Sequence, residues 1–533
     1  MSLKTTFRLF SLAIITSLLV ACGGSKVYDY VPEDATFAFK ANVQTLWDKS
    51  FDDNELALKK IVNAIEYEIA DERENEWGNY YNNMLDIAEN FLKDPDIIGV
   101  DFSSPIVLSC VADFDDNDFD GYLSFILDDS EAFLRLVNAA YKLECETLSE
   151  YSSNEPSKFS FGEKEGQGFI FPSERFGVAV EEDAAVIVFP DRFGENGKNA
   201  KKLLTNLFEQ ENTCQAPGFD KFASANYDIT AWVDYEQIYS LAKKEAKREL
   251  GPYSSFVMGY LPDVEGIYTI MGLNFEKGKV VLTSEFDGND EFVDAMTSYY
   301  ESASKIGFKY LPKNAAMAFN VALNSDAFVD LWEEQKEGLL GGYIKELEAQ
   351  GLTTDVISGL PGVVCGAVDA DSFEEDLPWF TIFAEFDEDT YKLIKSVLED
   401  YAGFEQEAKD VYNYRQFYVI FKKDGILLMD AETYDQTGGN EPRNNFNDSK
   451  IANSIADGGV AFDFNALPED ILEEFADEME LNDTRTLLDF ASSVSVSYDA
   501  NTFEATLEMG DQNTNMLQKV AKILANLIEN EYN

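Results

Sequence analysis

The chain repeats itself, and that limits its fold to something that can be built twice. Tyr30-Val31-Pro32-Glu33-Asp34-Ala35-Thr36-Phe37-Ala38-Phe39 returns 280 positions later as Tyr310-Leu311-Pro312-Lys313-Asn314-Ala315-Ala316-Met317-Ala318-Phe319. Each copy runs on through a polar link into a helix start containing Trp47 or Trp332. Pro105-Ile106-Val107 through Asp113 then matches Pro361-Gly362-Val363 through Asp369, at a spacing of 256. Asp129 to Val137 matches Asp387 to Lys395, Ala231-Trp232-Val233-Asp234-Tyr235 matches Val460-Ala461-Phe462-Asp463-Phe464, and Met271 to Phe286 matches Val494 to Met509. Five matches in one order, at a spacing that falls from 280 at the first to 223 at the last, indicate tandem copies of which the second has shorter loops.

Within each copy the patterning reads as strand, helix, hairpin, helix, hairpin, strand, helix, hairpin, helix. Helical periodicity is clear in Leu58, Ile61, Val62, Ile65 and Ile69 after a cap at Asp52 or Asp53, and in Leu517, Val520, Leu524, Leu527 and Ile528. Strand alternation marks Val280 and Leu282, and Val494, Val496 and Tyr498. The expectation is an α+β fold: two tandem copies of a hairpin-rich antiparallel sheet covered by helices. The copies are placed at 30–304 and 309–533, with the boundary in Lys305 to Phe308.

The first residues set the expected location. Lys4 and Arg8 precede an apolar stretch, Leu9 to Leu19, too short for a confident bilayer span, and Leu19-Val20-Ala21-Cys22 closes it. This resembles a bacterial lipoprotein signal: 1–21 would be cleaved, Cys22 acylated with palmitate-type chains, and 22–29 left as a tether. Several acyl chains give a stable anchor, at about 0.8 kcal/mol per buried CH₂. The expected partner is therefore the lipid bilayer, through acylated Cys22. Gly23, Gly24, Ser25 and Lys26 lack the acidic pair that marks surface export, so the periplasmic face of the outer membrane is expected.

Composition removes several function classes. There are 41 Lys and Arg against 100 Asp and Glu, a formal charge of −59, so no nucleic-acid partner is expected. With 45% hydrophobic residues and 41 Phe the chain is nonetheless no disordered acidic tail. It has no histidine, which excludes His-dependent triads and proton shuttles. Its 5 cysteines show no C-x-x-C spacing, which disfavours structural zinc and a redox dithiol. Cys145 with Cys214 is the one pair to consider for a disulfide; the alternative is a set of unpaired, mostly buried thiols.

The lipoprotein signal, the Tyr-x-Pro-x-x-Ala strand starts and Gly99-Val100-Asp101-Phe102-Ser103-Ser104-Pro105 together resemble an uncharacterised family of bacteroidete lipoproteins, domain of unknown function 4836. The resemblance implies a cell-envelope lipoprotein. It brings no catalytic residues, and the second copy keeps only Ser358-Gly359-Leu360-Pro361 of the glycine-containing element.

Candidate sites are few. Asp116, Asp118, Asp120 and Gly121 copy the opening of a calcium loop, but the closing Glu is replaced by Leu127. The turn is expected either as a weak calcium site, the one cofactor expectation here, or as a solvated acidic hairpin. The corresponding turn in the second copy carries Asp369, Asp371, Glu374, Glu375 and Asp376. Trp232, Trp332 and Trp379 are candidates for sugar-stacking platforms or for core. The functional expectation is a non-catalytic, membrane-anchored envelope lipoprotein with a binding or structural role toward an envelope protein or glycan. The alternative is a carboxylate-dependent, glycosidase-like hydrolase, which requires no histidine. A concave cleft with two converging, desolvated carboxylates would favour the hydrolase.

Overall fold

The computed structural model describes residues 25–532 apart from several segments, among them 75–84, 114–117, 148–156, 249–263 and 373–377. The protein is α+β, with every named strand paired antiparallel. Contacts divide it into two units: unit 1 holds residues up to Lys277 with Phe286–Asn289 and Thr514–Asn533, and unit 2 holds Gly278–Glu285 with Asp290–Asn513. These limits differ from the expected 30–304 and 309–533, because the last two strands of the first half fall in unit 2 and the last helix of the second half falls in unit 1.

Unit 1 contains β1 (Phe37–Ala41), β2 (Ile106–Asp113), β3 (Asp118–Ile126), β4 (Ser157–Phe161), β5 (Lys164–Ile170), β6 (Gly177–Glu181), β7 (Ala184–Phe189), β8 (Ile229–Asp234) and β9 (Tyr268–Glu276). Its sheet runs β9-β8-β1-β2-β3-β7-β6-β5-β4. Helices α1 (Val43–Phe51), α2 (Glu55–Glu74), α3 (Ser130–Thr147), α4 (Lys198–Glu209) and α5 (Phe219–Ser224) connect the strands.

The chain enters unit 2 with β10 (Lys279–Asp287), after the turn at Gly278, whose φ of 76° suits a residue without Cβ. There follow β11 (Tyr300–Glu301), β12 (Ala315–Leu323), β13 (Val363–Asp369), β14 (Phe380–Ala384), β15 (Glu405–Ala408), β16 (Val411–Tyr414), β17 (Phe417–Phe421), β18 (Ile426–Asp430), β19 (Gly459–Asp463), β20 (Ser493–Asp499) and β21 (Thr502–Glu508). The sheet of this unit runs β10-β21-β20-β19-β12-β13-β14-β18-β17-β16-β15, with β11 added on β12. From β9 to β4 and from β20 to β15 the order is the same, strand for strand. Helices α6 (Ser325–Glu337), α7 (Ala431–Thr437), α8 (Glu469–Glu478) and α9 (Thr484–Phe490) belong here, whereas α10 (Met516–Tyr532) returns to unit 1.

Register refines the sequence matches. Ala38 faces Ser109 and Trp232, and Ala318 faces Ala367 and Ala461. The 280 spacing and the Trp232 to Ala461 match therefore agree with the pairing. The spacing of 256 does not: Ile106 lies opposite Ala41 and Val364 opposite Val321, which puts β2 level with β13 two residues from the Pro105 to Pro361 alignment. A shift of two keeps every side chain on its face, so hydropathy cannot detect it.

The repeated Tyr-x-Pro start is a plug. Val31 and Leu311 are fully buried, and the two tyrosines donate to acids from the facing hairpins, Tyr30 to Glu181 at 3.2 Å and Tyr310 to Asp424 at 3.0 Å. Gly99 has φ 73°, and a Cβ there would lie 2.0 Å from the carbonyl oxygen of Asp129. The Asp101 that follows accepts from Ser103 N at 2.7 Å and from both serine hydroxyls. That motif builds a turn.

The expected helices form. In α10, among the described side chains, Ala521 and Ala525 are buried, Leu517 and Leu524 are half-buried and Val520 is 41% exposed, while the side chains of Leu527 and Ile528 lie outside the described residues. Ala525 packs with Ala57 and Ile61 of α2, where a small side chain allows close approach. In β10 Val281 is buried and Leu282 exposed, the reverse of the alternation read from Val280 and Leu282.

Candidate functional site

One feature separates two otherwise matching places in the units. In unit 1, β3 carries Tyr122, buried among Val111, Val186 and Val188 and under Leu204, Leu207 and Phe208 of α4. Register places Thr381 of β14 level with Tyr122, and Asp369 of β13 level with Val111. The helix after β18, α7, is the counterpart of α4 in chain order. It has 7 residues instead of 12 and presents Thr433, Gln436 and Thr437. A tyrosine, a valine and an apolar helix face in unit 1 correspond to a threonine, an aspartate and polar groups in unit 2. At this place unit 2 has a cavity of about 500 Å³.

Its walls are held by hydrogen bonds that arise from strand ends. Asp369 N donates to Trp379 O at 2.9 Å, and Trp379 N donates to Ser372 Oγ at 2.7 Å. That fixes Trp379, half-buried, on the wall. Asp430, buried, caps α7 by accepting from Thr433 N at 2.8 Å and Thr433 Oγ1 at 2.6 Å, and it also accepts from Phe380 N at 2.7 Å. Asp463 accepts from Asn465 N and Nδ2 at 3.0 and 3.1 Å, as Asp234 accepts from Glu236 N in unit 1.

The groups facing the cavity differ in what they have left to offer. Burial raises the pKa of Asp369, with the charges of Asp371 and Asp430 adding to the effect and the N–H of Asp371 opposing it. Thr381 is 1% exposed and its hydroxyl has no hydrogen-bond partner. Lys313, Lys450 and Asn444 stand exposed at the rim. A buried hydroxyl without a partner is uncommon and calls for a ligand or solvent to complete it.

The sequence-derived candidates are distributed unevenly. Trp379 lines the cavity, Trp332 is half-buried on α6, and Trp232 is core, donating Nε1–H to Pro217 O at 2.9 Å. Asp369 also lines it, whereas Glu374, Glu375 and Asp376 lie outside the described residues. Cys22 and Asp116 lie outside them too, as does the side chain of Asp118, which begins β3. Asp120 accepts from Asp191 N at 3.1 Å. Among the described residues no group of three or more acids or cysteines is disposed to hold a metal. Cys110, Cys214 and Cys365 are buried, free thiols, pushed up by burial to about 11, 11 and 12. Cys214 is thus unbridged, and the side chain of Cys145 lies outside the described residues. Thr381 escaped the sequence reading, since a lone threonine in Phe380-Thr381-Ile382-Phe383 carries no signal until its counterpart Tyr122 is known.

Among the described residues no helix is long and apolar enough to cross a membrane. A family model described as "Domain of unknown function (DUF4836)" matches residues 31–517. No curated protein matches. Two solved structures, crystal forms III and I of TP0453, are similar at 10% identity, with TM-scores of 0.24. They cover 52% and 50% of this chain and 88% and 80% of theirs, a likeness too slight to carry an argument.

Proposed function

The chain belongs to the DUF4836 family, and from that premise we propose that it is a lipoprotein tethered to the bacterial envelope through acylated Cys22, which binds a small polar ligand in the unit 2 cavity without transforming it. One observation carries the binding role: where unit 1 is filled by Tyr122, unit 2 has a concave, polar cavity with the partnerless Thr381 hydroxyl in its wall. A volume of about 500 Å³ falls in the ordinary range for small-molecule sites.

Binding is favoured over hydrolysis by the state of the carboxylates. Glycoside hydrolysis needs one acid held protonated and a second free to attack or to activate water. Asp369 has the raised proton affinity of the first. Two neighbouring acids are committed elsewhere, Asp430 to the start of α7 and Asp463 to Asn465.

The experiment compares the full chain with its Cys22→Ser variant, expressed in a Gram-negative envelope. The parent is expected in the detergent phase and the variant in the aqueous phase, with the same bound mass seen on both by native mass spectrometry. A variant that stays in detergent refutes the tether. A parent and variant that are both free of ligand in every preparation refute the binding role.

A further inference from the structure

The lining of the cavity selects among small polar ligands. A sugar hydroxyl both donates and accepts, and it is best met by a wall that mixes donors and acceptors. This wall does so. Asp369 accepts, Lys313 and Lys450 donate, and Asn444 and the Thr381 hydroxyl offer both. A sugar ring also carries an apolar face of C–H bonds, which packs on an aromatic plane, and Trp379, whose backbone N–H is anchored on Ser372 Oγ, supplies an indole to the lining.

Net charge then narrows the class. Three aspartates, Asp369, Asp448 and Asp463, line the cavity with two lysines, and the chain as a whole carries −59. An anion approaching this body meets a repulsive potential before any contact is made. A cation is drawn to the body but meets the ammonium groups of Lys313 and Lys450 at the rim. A neutral polyol meets neither obstacle.

We infer that the unit 2 cavity binds a neutral pyranose saccharide, with Trp379 as its stacking wall and Thr381 as the hydroxyl that completes its hydrogen bonds. The inference rests on the binding role proposed above. Unit 1 gives it an internal contrast, since the Tyr122 side chain packs into the corresponding place and Val111 offers no carboxylate there.

The test is calorimetric titration of the full chain in detergent with four trimers: cellotriose and triacetylchitotriose, which are neutral, trigalacturonate, which is anionic, and triglucosamine, which is cationic below its amine pKa. A neutral trimer is expected to bind, and Trp379→Ala to weaken it about tenfold or more. Thr381→Val is expected to weaken it about fivefold, on the scale of one lost hydrogen bond. The same Thr381→Val variant should melt no lower than the parent, because it removes a buried hydroxyl that has no partner in the protein. A hydroxyl serving only the fold would lower the melting temperature instead. Trigalacturonate should bind at least about tenfold more weakly than the neutral trimers at low salt, with the gap closing as salt rises. If a charged trimer binds best and loses its affinity in Trp379→Ala, the cavity is a ligand site and the neutral assignment is overturned. If no trimer binds while the envelope-purified parent carries a bound mass that is no saccharide, the sugar class is overturned and the binding role stands.

Discussion

Replacing Lys40 with Met is expected to cost unit 1 about 2–4 kcal/mol. Lys40 is 3% exposed on β1, and its ammonium donates to three carbonyls at the end of α5, Phe222 at 2.7 Å, Ala223 at 3.0 Å and Ala225 at 2.6 Å. Methionine leaves all three without a donor, at about 1–3 kcal/mol for each that stays buried. Relief from burying a charge offsets part of that. Burial alone lowers the pKa of Lys40 to about 8 from 10.5, a difference worth about 3 kcal/mol.

The corresponding residue in unit 2 is Asn320, fully buried, whose Nδ2 donates to Ser304, Ile455 and Ala456 carbonyls at 3.3, 3.0 and 3.1 Å. Lys40→Asn should therefore cost less than Lys40→Met. The pH dependence has a definite sign. Between pH 8 and 10.5 the unfolded chain binds the Lys40 proton more tightly than the folded one, so this group's contribution to stability rises with pH across that window. Below about 8 this increment is absent, and the hydrogen bonds to the three carbonyls alone set the cost of losing Lys40. Denaturant melts of parent and Lys40→Met should diverge as pH rises through that window, the parent gaining, and a difference constant from pH 7 to 11 would contradict the buried-ammonium account.

Truncation after Asn513 is expected to destabilise unit 1 although the deleted residues end the second half of the chain. The α10 segment packs Ala525 against Ala57 and Ile61. It also satisfies backbone groups of unit 1: Asn515 Nδ2 donates to Phe275 O at 2.7 Å and Gln518 Nε2 to Asp52 O at 2.7 Å. Loss of this helix should lower the unit 1 transition by roughly 5–10 °C, equivalent to about 2–4 kcal/mol in a unit of this size. Hydrogen exchange should quicken in α2 and leave β12 to β14 unchanged, and a synthetic peptide of residues 514–533 should restore protection. Equal acceleration in both units would show that α10 does not belong where its contacts place it.

These cases show what hydropathy reveals and what it hides. The Tyr-x-Pro strand starts and the Trp232 to Ala461 match are visible because they mark plugs and strand ends, where residue type is tightly constrained. Lys40 and Asn320 were hidden, since a lysine in Phe37-Ala38-Phe39-Lys40 reads as solvent-facing. In the structure the alternation is inverted, with Phe37 and Phe39 more than a third exposed and Ala38 and Lys40 buried. The exchange of β10 and α10 was also illegible, because the partner of a strand edge or an alanine face is a tertiary choice and leaves no local trace. The cavity was half-legible: Trp379 and Asp369 stood out by type, but the opening itself depends on a difference between the two units, Thr381 against Tyr122.

That difference is what the functional account depends on, and it can be reversed. Thr381→Tyr gives unit 2 the residue that fills the corresponding place in unit 1, and α7 leaves room above it that α4 does not. Native mass spectrometry of the envelope-purified parent and of Thr381→Tyr, both checked for an intact melting transition, measures occupancy directly. The account predicts one bound neutral saccharide per parent chain and none on the variant. The same bound mass on both folded proteins, or none on either, would contradict it.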